Sequence, residues 1–324
     1  MSTDVLAMVR DELTRRLDDR ESGLDAVCAY ALEPSGKLLR PVLVVESALA
    51  VGGSAEAVLP AAIGVECGHV ASLIHDDIVD NDELRRGRLS VPRRYGVATA
   101  LLAGDMLLLS MFDHLIRCRG TGVPDHRILD AATVLIGACR DLCGGEHLEL
   151  DLVGAARLDV ADYLAVVRGK TAAAFRGACV LGGILGGGSP ELVEALGEYG
   201  TNMGIAFQIQ DDLLPYTSDA STSGKPVTSD VANRRLTLPL IMAYKTASPA
   251  VWARLDRALS GAVPAERVHA DVASLLIETN AIERARDLAA EYARLADKNA
   301  LLLPDSEIRD RLRSYVELAV NRDS

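Results

Sequence analysis

The sequence predicts an all-α fold. Aromatic residues make up only 4% of the 324 residues, and Ala, Leu and Arg are abundant. Because sheets are rich in aromatic and β-branched residues, whereas Ala, Leu and Arg favour helices, this composition favours helix over strand. Apolar residues recur at helical spacing without an intervening disordered linker. We therefore expect one large helical domain over residues 1–324.

Hydrophobic periodicity predicts helices along almost the whole chain. They are expected near residues 3–20, 38–52, 56–80, 95–117, 126–151, 159–186, 190–214, 235–247, 249–260, 265–279, 281–298 and 305–320. Pro60 falls near the start of the third helix, where proline is tolerated. The glycines of LGGILGGGSP (Leu181 to Pro190) are expected to end one helix, and the serine-proline pair to open the next. Residues 216–234 are rich in Thr, Ser, Asp and Gly, which predicts a loop. Because this loop directly follows the acidic pair Asp211 and Asp212 and carries Lys225 and Asp230, we expect it to order over a bound diphosphate.

An acidic cluster ends the third predicted helix, in ECGHVASLIHDDIVDNDELRRG. On a helix the side chains of Asp76, Asp77 and Asp80 can share one face, where like charges repel unless a cation lies among them. Carboxylate oxygens at this spacing suit Mg²⁺, which completes its coordination with water and phosphate oxygens. Arg85 and Arg86 follow directly, and guanidinium groups bind phosphate with two parallel hydrogen bonds. The segment predicts a site for a magnesium-bound phosphate compound.

A second acidic pair, Asp211 and Asp212 in GIAFQIQDDLLPY, also ends an apolar stretch and is followed by Lys225. Two acidic patches at two helix ends could face each other and hold several divalent ions around one diphosphate. Such an arrangement polarises a leaving group and stabilises the charge that develops as its bond breaks.

Simpler interpretations compete with these. A cluster of carboxylates is usually a solvated helix face, although here apolar residues precede both clusters. The GKT triplet (Gly169 to Thr171) could suggest a nucleotide-binding loop, but such a loop requires a glycine where this chain has Leu164. A single histidine on an apolar helix, such as His69, is more often a core residue than a ligand.

Charge and cysteine content restrict the class of partner and the compartment. The net charge of −12 argues against a nucleic-acid partner, because phosphate backbones are bound by basic surfaces. Six scattered cysteines lack the spacing of a structural zinc site and are expected to be reduced core residues. The N-terminal segment has no signal pattern, and no uninterrupted apolar stretch of about twenty residues is present. A cytoplasmic protein without a transmembrane segment is expected.

The ordered motifs of the chain resemble those of the trans-isoprenyl diphosphate synthases, or polyprenyl synthetases. The resemblance covers most of the chain and rests on these segments: SGKLLRP (Ser35 to Pro41), DDIVD with RRG, AGDMLL (Ala103 to Leu108), GKT, FQIQDD, GKPVTSD and RLTLPL (Arg235 to Leu240). It implies an isoprenoid-synthase-type helical bundle with a central apolar cavity, a geranylgeranyl-diphosphate-synthase-like activity and a homodimer. The products of this family are lipids, so contact with a membrane surface is compatible with a cytoplasmic location.

The resemblance also implies roles for individual residues. Asp76 and Asp80 would bind two of three Mg²⁺ ions, with Asp77 supporting them, and Asp211 would bind the third, supported by Asp212. The allylic diphosphate would be held by Arg85, Lys170, Thr171, Gln208 and Lys225. The diphosphate of isopentenyl diphosphate would be held by Lys37, Arg40, His69 and Arg86. The expected reaction ionises the allylic diphosphate, adds isopentenyl diphosphate to the carbocation and releases a proton, for which the leaving pyrophosphate is the expected acceptor.

Product length is expected to follow the depth of an apolar tunnel. In the family, bulky aromatics four or five residues before the first aspartate stop growth at farnesyl, whereas this chain has Ser72 and Ala71 there. Both side chains are small. The resemblance thus implies a product of geranylgeranyl length or longer, with geranylgeranyl as the single best expectation.

Several positions depart from the family pattern. Pro215 stands where the second acidic motif usually ends in aspartate, so the helix is expected to kink or end near it. Pro92 replaces a residue that is often histidine, Arg235 replaces a lysine at a substrate-binding position, and Glu146 stands where relatives often carry glutamine. These changes leave open a class I terpene cyclase of the same fold, which would not need the isopentenyl site, and a noncatalytic synthase subunit, which would be expected to lose its acidic clusters.

Overall fold

The computed structural model describes residues 3–17, 23–33, 35–153, 159–217, 237–259 and 265–320. Over these residues regular structure is almost entirely helical, which confirms the all-α prediction. The chain begins with α1 Thr3–Leu17, α2 Leu24–Leu32, α3 Leu39–Ala50 and α4 Ala55–Val79. A short antiparallel hairpin follows, formed by β1 Leu84–Arg85 and β2 Arg88–Leu89.

The remaining elements are helical. They are α5 Val91–Tyr95, α6 Val97–Arg117, a 3₁₀ turn at Cys118–Thr121, α7 Asp125–Leu152, α8 Val160–Val167, a π-helical turn at Arg168–Ala172, α9 Ala173–Gly186, α10 Pro190–Thr217, α11 Leu238–Thr246, α12 Pro249–Leu259, α13 Ala265–Glu278, α14 Ala281–Ala300 and α15 Glu307–Val320.

The element boundaries differ from the prediction at a few places. Neither helix α2 nor the hairpin was predicted. Helix α5 lies almost entirely before the helix predicted at 95–117, and Gly96, with a φ of 84°, separates it from α6. Helix α10 continues through Pro215 to Thr217. The end of α9 at Gly186 and the start of α10 at Pro190 are as predicted. Most of the predicted loop at 216–234 lies outside the described residues.

The chain forms two compact units, each built from three stretches. The first comprises Met1–Ala138, Ala174–Gly200 and Lys298–Tyr315, and the second comprises Cys139–Ala173, Thr201–Asp297 and Val316–Ser324. Helices α7 and α10 contribute residues to both. The single-domain organisation over residues 1–324 stays a prediction.

In the first unit, α4 packs against α3 and α6. Small residues allow the close approach to α6: a Cβ on Gly68 would lie 2.6 Å from the sulfur of Met111, and one on Gly64 would meet the backbone of the same methionine. Nearer the acidic end of α4, the ring of His75 lies against Gly104. Since the two helices contact through backbone atoms at these positions, the end of α4 is held firmly.

A buried ion pair joins α3 to the C-terminal helix within the first unit. Glu46 is 0% exposed and accepts hydrogen bonds from Arg311 Nη2 at 2.8 Å and Nε at 3.0 Å. The hydroxyl of Tyr315 donates to the same carboxylate at 2.7 Å. The carboxylate is therefore compensated by one guanidinium and one phenol.

In the second unit, α7 and the π-helical turn touch through glycines. A Cβ on Gly169 would lie 2.8 Å from the Cα of Gly145, so neither position has room for a side chain. Helix α11 packs against α8 and α13. The indole of Trp252 donates to the carbonyl of Tyr244 at 2.9 Å, which fixes α12 on α11.

The cysteines only partly match the expectation of a reduced core. All six lie within the described residues and none forms a disulfide. Cys28, Cys67, Cys118 and Cys179 are buried, whereas Cys143 is exposed on α7. The prediction of core positions is wrong for Cys143, because its stretch of α7 faces solvent.

Two helical segments are long and apolar enough to cross a membrane by length and composition alone, Ala55–Val79 and Val97–Thr121. The most apolar window is 67% buried in the first segment and 39% buried in the second. A buried core helix passes the same test, so these segments are weak indications of a membrane span.

Candidate active site

The first acidic motif lies at the C-terminal end of α4. Asp80 caps the helix, and its N–H donates to the carbonyl of Asp76 at 2.8 Å, so the two residues are one turn apart. Both are partly exposed, whereas Asp77 is buried. Carboxylates are unfavourable at the C-terminal end of a helix, where the helix dipole is negative. The position therefore favours a cation beside Asp76 and Asp80.

Asp77 is engaged by the protein itself. Arg85 Nε donates to Asp77 Oδ1 at 2.8 Å, and Arg85 Nη2 donates to the same oxygen and to Asp82 Oδ2, the latter at 3.0 Å. One guanidinium is thus shared by two carboxylates, which ties strand β1 to the end of α4. The supporting role of Asp77 at a metal site stays a prediction.

The turn of the hairpin presents the second arginine. Arg86 and Gly87 have φ values of 51° and 75°, as in the two-residue type I′ turn that suits the twist of a hairpin. A side chain on Gly36 would bring its Cβ to 2.7 Å from Arg86 Nη2. The glycine of the SGKLLRP segment therefore leaves the space that the Arg86 guanidinium occupies.

A cationic cluster forms beside this turn. Arg40 Nη1 lies 3.2 Å from His69 Nε2, and its guanidinium stacks 4.7 Å above the ring centre of Phe175. Burial, together with the positive charges of Arg40 and Arg86, holds the pKa of His69 well below its ordinary value. His69 is therefore neutral and can accept a hydrogen bond from Arg40.

Glu66 is a buried carboxylate one turn before His69 on α4. Burial raises its pKa, and the charges of Arg40 and Arg86 oppose that rise. Lys37 is exposed just before the start of α3. The next residue, Leu38, is buried and has a left-handed φ of 53°. The first unit thus brings together Arg40, His69 and Arg86. Lys37 lies at the surface of the same unit, three residues before Arg40 in the sequence.

The second acidic pair is embedded in a hydrogen-bonded network of the second unit. Asp212 accepts from the hydroxyl of Tyr163 at 2.8 Å, from the N–H of Leu238 at 3.2 Å and from Gln208 Nε2 at 2.9 Å. The hydroxyl of Thr171 donates to the carbonyl oxygen of the Gln208 side chain at 2.7 Å. Asp212 therefore fixes the orientation of Gln208 and, through it, of Thr171.

Burial and the negative charge of Asp212 raise the pKa of Tyr163 well above its ordinary value. The phenol is consequently a permanent hydrogen-bond donor to Asp212. Asp211, the preceding residue on α10, is partly exposed. Position 215 is proline, so no N–H from that residue reaches the carbonyl of Asp211 along the helix.

Lys170 lies between two carboxylates of α7. Its Nζ is 2.5 Å from Glu146 Oε2 and 2.6 Å from Glu149 Oε2. The glycine contact between α7 and the π-helical turn brings these groups together. Lys170 therefore enters the site already paired with acidic side chains.

The donor set fits magnesium bound jointly by protein and substrate. Within the described ranges, no three carboxylate, imidazole or thiol groups lie close enough to hold an ion by themselves. Mg²⁺ is commonly bound through one or two carboxylates together with substrate phosphates and water. Asp76 and Asp80 at a helix C-terminus, with arginines nearby, are suited to that kind of binding.

The structure distributes the predicted site residues over both units. The first unit contains Lys37, Arg40, His69, Ala71, Ser72, Asp76, Asp77, Asp80, Arg85 and Arg86. The second contains Lys170, Thr171, Gln208, Asp211 and Asp212. Lys225 and Arg235 lie outside the described residues. The apposition of the two acidic motifs stays a prediction.

Sequence reasoning missed Tyr163 and Glu149. Tyr163 precedes Lys170 by seven residues, or about two helical turns, so it could have been placed on the same face as the GKT triplet. Glu149 is one turn after Glu146 and shares its face of α7. Neither position carried a signal that tied it to a distant partner.

Three comparisons with known proteins agree with these observations. A polyprenyl synthetase family model matches residues 21–275. A geranylgeranyl diphosphate synthase from Methanosarcina mazei is 34% identical over 91% of this chain and 88% of its own length. A geranylfarnesyl diphosphate synthase from Aeropyrum pernix is 34% identical over 94% of this chain and 95% of its own.

A solved structure is similar over its full length. It is a polyprenyl synthase from Caulobacter crescentus complexed with calcium and isoprenyl diphosphate, with a TM-score of 0.89 and 30% identity, covering 100% of this chain and 98% of that one. The chain belongs to the polyprenyl synthetase family and is a trans-polyprenyl diphosphate synthase.

Proposed function

We propose that this enzyme condenses isopentenyl diphosphate head-to-tail with an allylic diphosphate to give all-trans geranylgeranyl diphosphate or a longer product. The observation that carries the proposal is the cluster of Arg40, His69 and Arg86 beside the first acidic motif. A catalyst that binds two diphosphates needs two kinds of binding group. Carboxylates bind one diphosphate through metal ions, and cationic side chains bind the other directly. The family relatives named above make products of this class.

The residues divide the work as follows. Asp76 and Asp80 would hold two Mg²⁺ ions and Asp211 a third, and Asp77 and Asp212 would orient their surroundings. Bound Mg²⁺ would neutralise the allylic diphosphate as it leaves. Lys170, Thr171 and Gln208 contact that diphosphate, together with Arg85, Lys225 and Arg235.

Lys37, Arg40, His69 and Arg86 hold isopentenyl diphosphate so that its double bond lies against the allylic carbon. Fixing two reactants in line supplies several kcal/mol of the barrier reduction, on the order of 7 kcal/mol or more in favourable cases. Because His69 is neutral, it accepts a hydrogen bond from Arg40 and leaves that guanidinium oriented toward the anion. The proton lost at the end passes to the released pyrophosphate.

Geranylgeranyl diphosphate is the product that the small tunnel residues favour. Ala71 is buried, and Ser72 donates its hydroxyl to the carbonyl of His69 at 2.8 Å. Neither side chain can act as the bulky plug that halts growth at farnesyl. The apolar residues of α6 opposite this turn of α4 are the candidates for the tunnel floor.

A terpene cyclase is the second candidate function. It would ionise a single prenyl diphosphate and would have no use for an isopentenyl site. The contacts of Arg40 with His69 and Phe175, and the glycine that accommodates Arg86, favour the synthase.

We also propose a cytoplasmic homodimer. Apolar side chains at heptad spacing are exposed on α6 and α7, namely Leu102, Leu109, Ile116, Leu129 and Ile136. Exposed apolar side chains that recur at this spacing along a helix are typical of a protein–protein contact. The absence of disulfides among the six cysteines, all of which the structure describes, suits a reducing compartment.

Product analysis tests the function. Purified protein is incubated with Mg²⁺, isopentenyl diphosphate and dimethylallyl, geranyl or farnesyl diphosphate in turn, and products are identified by mass. We expect geranylgeranyl diphosphate, with turnover reduced about 100-fold or more in Asp76→Asn. Asp113→Asn, which removes an exposed carboxylate of α6, is the matched control. A hydrocarbon formed from one prenyl diphosphate alone would establish the cyclase instead.

A further inference from the structure

The pairing of Lys170 with two glutamates is unusual for a residue that has to bind an anion. Glu146 and Glu149 are 14% and 23% exposed at the side chain, and Lys170 is 20% exposed. Two carboxylates and one ammonium leave one negative charge in this cluster. Partial burial weakens screening by water, so the charge acts strongly on nearby groups.

The backbone holds the three groups together. Gly145, the residue before Glu146, contacts Gly169, the residue before Lys170, and neither glycine has room for a Cβ. Helix α7 and the π-helical turn cannot separate without losing this contact. The acidic side chains therefore stay within reach of Lys170 while substrate binds.

Glu146 directly follows Gly145, whose contact with Gly169 fixes its position beside Lys170. The carboxylate of Glu146 forms an ion pair with the ammonium, with 2.5 Å between Lys170 Nζ and Glu146 Oε2. A glutamine would have a similar shape but no charge, so it would attract the ammonium less strongly. An incoming diphosphate must compete with this ion pair for Lys170.

We infer that Glu146 is a positioning residue that weakens the hold of the enzyme on the allylic diphosphate by competing with it for Lys170. The inference rests on the proposed function, in which Lys170 contacts that diphosphate. Its consequence is faster release of finished product, because the product has the same allylic diphosphate group as the primer.

Glu146→Gln tests the inference. Affinity for a nonreactive farnesyl thiodiphosphate is measured by calorimetry with Mg²⁺, and KM and kcat are measured for farnesyl and isopentenyl diphosphates. We expect the Kd and the KM for the farnesyl compounds to fall about five- to tenfold, from the loss of one nearby charge. The KM for isopentenyl diphosphate is expected to stay within about twofold, since the charge lost lies beside Lys170.

Two further variants isolate the mechanism. Asp151→Asn removes a 64% exposed carboxylate of the same helix that pairs with His147, and its farnesyl affinity is expected to equal that of the wild type. In a Lys170→Met background, Glu146→Gln is expected to change the affinity clearly less than in the wild-type background, because only the direct repulsion between the carboxylate and the diphosphate remains. Unfolding temperatures verify that each variant folds.

The inference is overturned if Glu146→Gln leaves the farnesyl affinity unchanged or weakens it, or if it tightens binding equally in the Lys170→Met background. Failure of the proposed function has a different signature. A wild-type protein that binds the thiodiphosphate but never elongates farnesyl diphosphate would refute prenyl transfer, and the calorimetric comparison would still test competition for Lys170.

Discussion

Within each acidic motif, neighbouring aspartates have different surroundings. Asp77 and Asp212 accept hydrogen bonds from protein donors, namely Arg85 for the first and Tyr163, Gln208 and Leu238 for the second. Asp76 and Asp211 are partly exposed at the same helix ends. One residue of each pair is thus held by the protein donors named here, and the other is partly exposed, as the proposed metal-binding role requires.

The depressed pKa of His69 predicts a specific dependence of stability on pH. The unfolded chain binds a proton at this histidine below about pH 6.5, whereas the folded protein does not. Stability is therefore lost as pH falls through that range, by up to about 1.4 kcal/mol per pH unit. His69→Gln is expected to reduce the slope of the unfolding free energy between about pH 6.5 and 5, measured by urea denaturation.

His147→Gln on the exposed surface of α7 is the control for this experiment. It removes one histidine from the unfolded state as well, but from a site that is open to water in the folded state. An equal slope in wild type and His69→Gln would show that burial of His69 does not govern acid stability.

Ala71 and Ser72 give a prediction for product length. Ala71→Phe combined with Ser72→Phe is expected to shift the product from geranylgeranyl to farnesyl diphosphate, because two aromatic rings would fill the tunnel beside α4. Products are identified by mass spectrometry. An unchanged product length would contradict the expectation that the side chains at positions 71 and 72 limit the depth of the tunnel.

The single variant Ala71→Phe accompanies the double variant as a control for packing. Ser72 is one turn from Gly68 and close to His75, which both contact α6, so a ring at Ser72 also disturbs the helix pair. A shorter product from Ala71→Phe with an unaltered unfolding temperature separates tunnel length from helix packing.

At the scale of elements, α15 is bound to α3, the helix that carries Arg40. Glu46 and Arg40 both belong to α3, and Glu46 is held by Arg311 and Tyr315 of α15. The ion pair is therefore a long-range fastening within the first unit. Its removal affects folding more directly than chemistry.

Arg311→Met is expected to lower the free energy of unfolding by about 3–5 kcal/mol, because Glu46 would stay buried without its guanidinium. Chemical denaturation measures the effect. Arg313→Met, two residues away and 3.9 Å from Asp310, is expected to cost less than about 1 kcal/mol. The double variant Glu46→Met with Arg311→Met is expected to recover much of the loss, and a double variant no more stable than the single one would contradict this account.

Periodicity and capping residues were enough to predict most helices, including the break between Gly186 and Pro190. The hairpin at Leu84–Leu89 was not predictable from periodicity, since each strand has two residues and alternation cannot be recognised over that length. The Arg86–Gly87 turn carries only a weak hairpin signal. Gly87 suits the positive φ of a two-residue turn, but Arg86 is not one of the residues that usually precede it.

At the scale of the whole molecule, motif order along the chain predicted the family and the reaction. The contacts that shape the site could not be predicted in the same way, because they join residues that are far apart in sequence. The hydrogen bond between Tyr163 and Asp212 spans 49 positions, and no local pattern encodes it. The pairing of Lys170 with Glu146 and Glu149 likewise depends on a glycine contact that only the fold reveals.

The proposed dimer predicts an oligomeric change in solution. Leu102→Glu combined with Leu109→Glu is expected to convert a dimer into a monomer at micromolar concentration, because two charges would enter the apolar surface of α6. Analytical ultracentrifugation measures the mass. Leu318→Glu, at another exposed apolar position, is expected to leave the dimer intact. A wild-type monomer, or a dimer unaffected by the α6 variant, would refute the proposal.

The guanidinium shared by Asp77 and Asp82 alters the interpretation of any alanine scan through DDIVD. Loss of Asp77 would deprive Arg85 of its buried counterion and release β1, together with the turn that presents Arg86. Since Arg85 is assigned to the allylic diphosphate and Arg86 to isopentenyl diphosphate, this loss is expected to weaken the binding of both co-substrates. Loss of Asp76 would remove a metal ligand and is expected to impair mainly the allylic substrate, so two adjacent aspartates are expected to give different kinetic phenotypes.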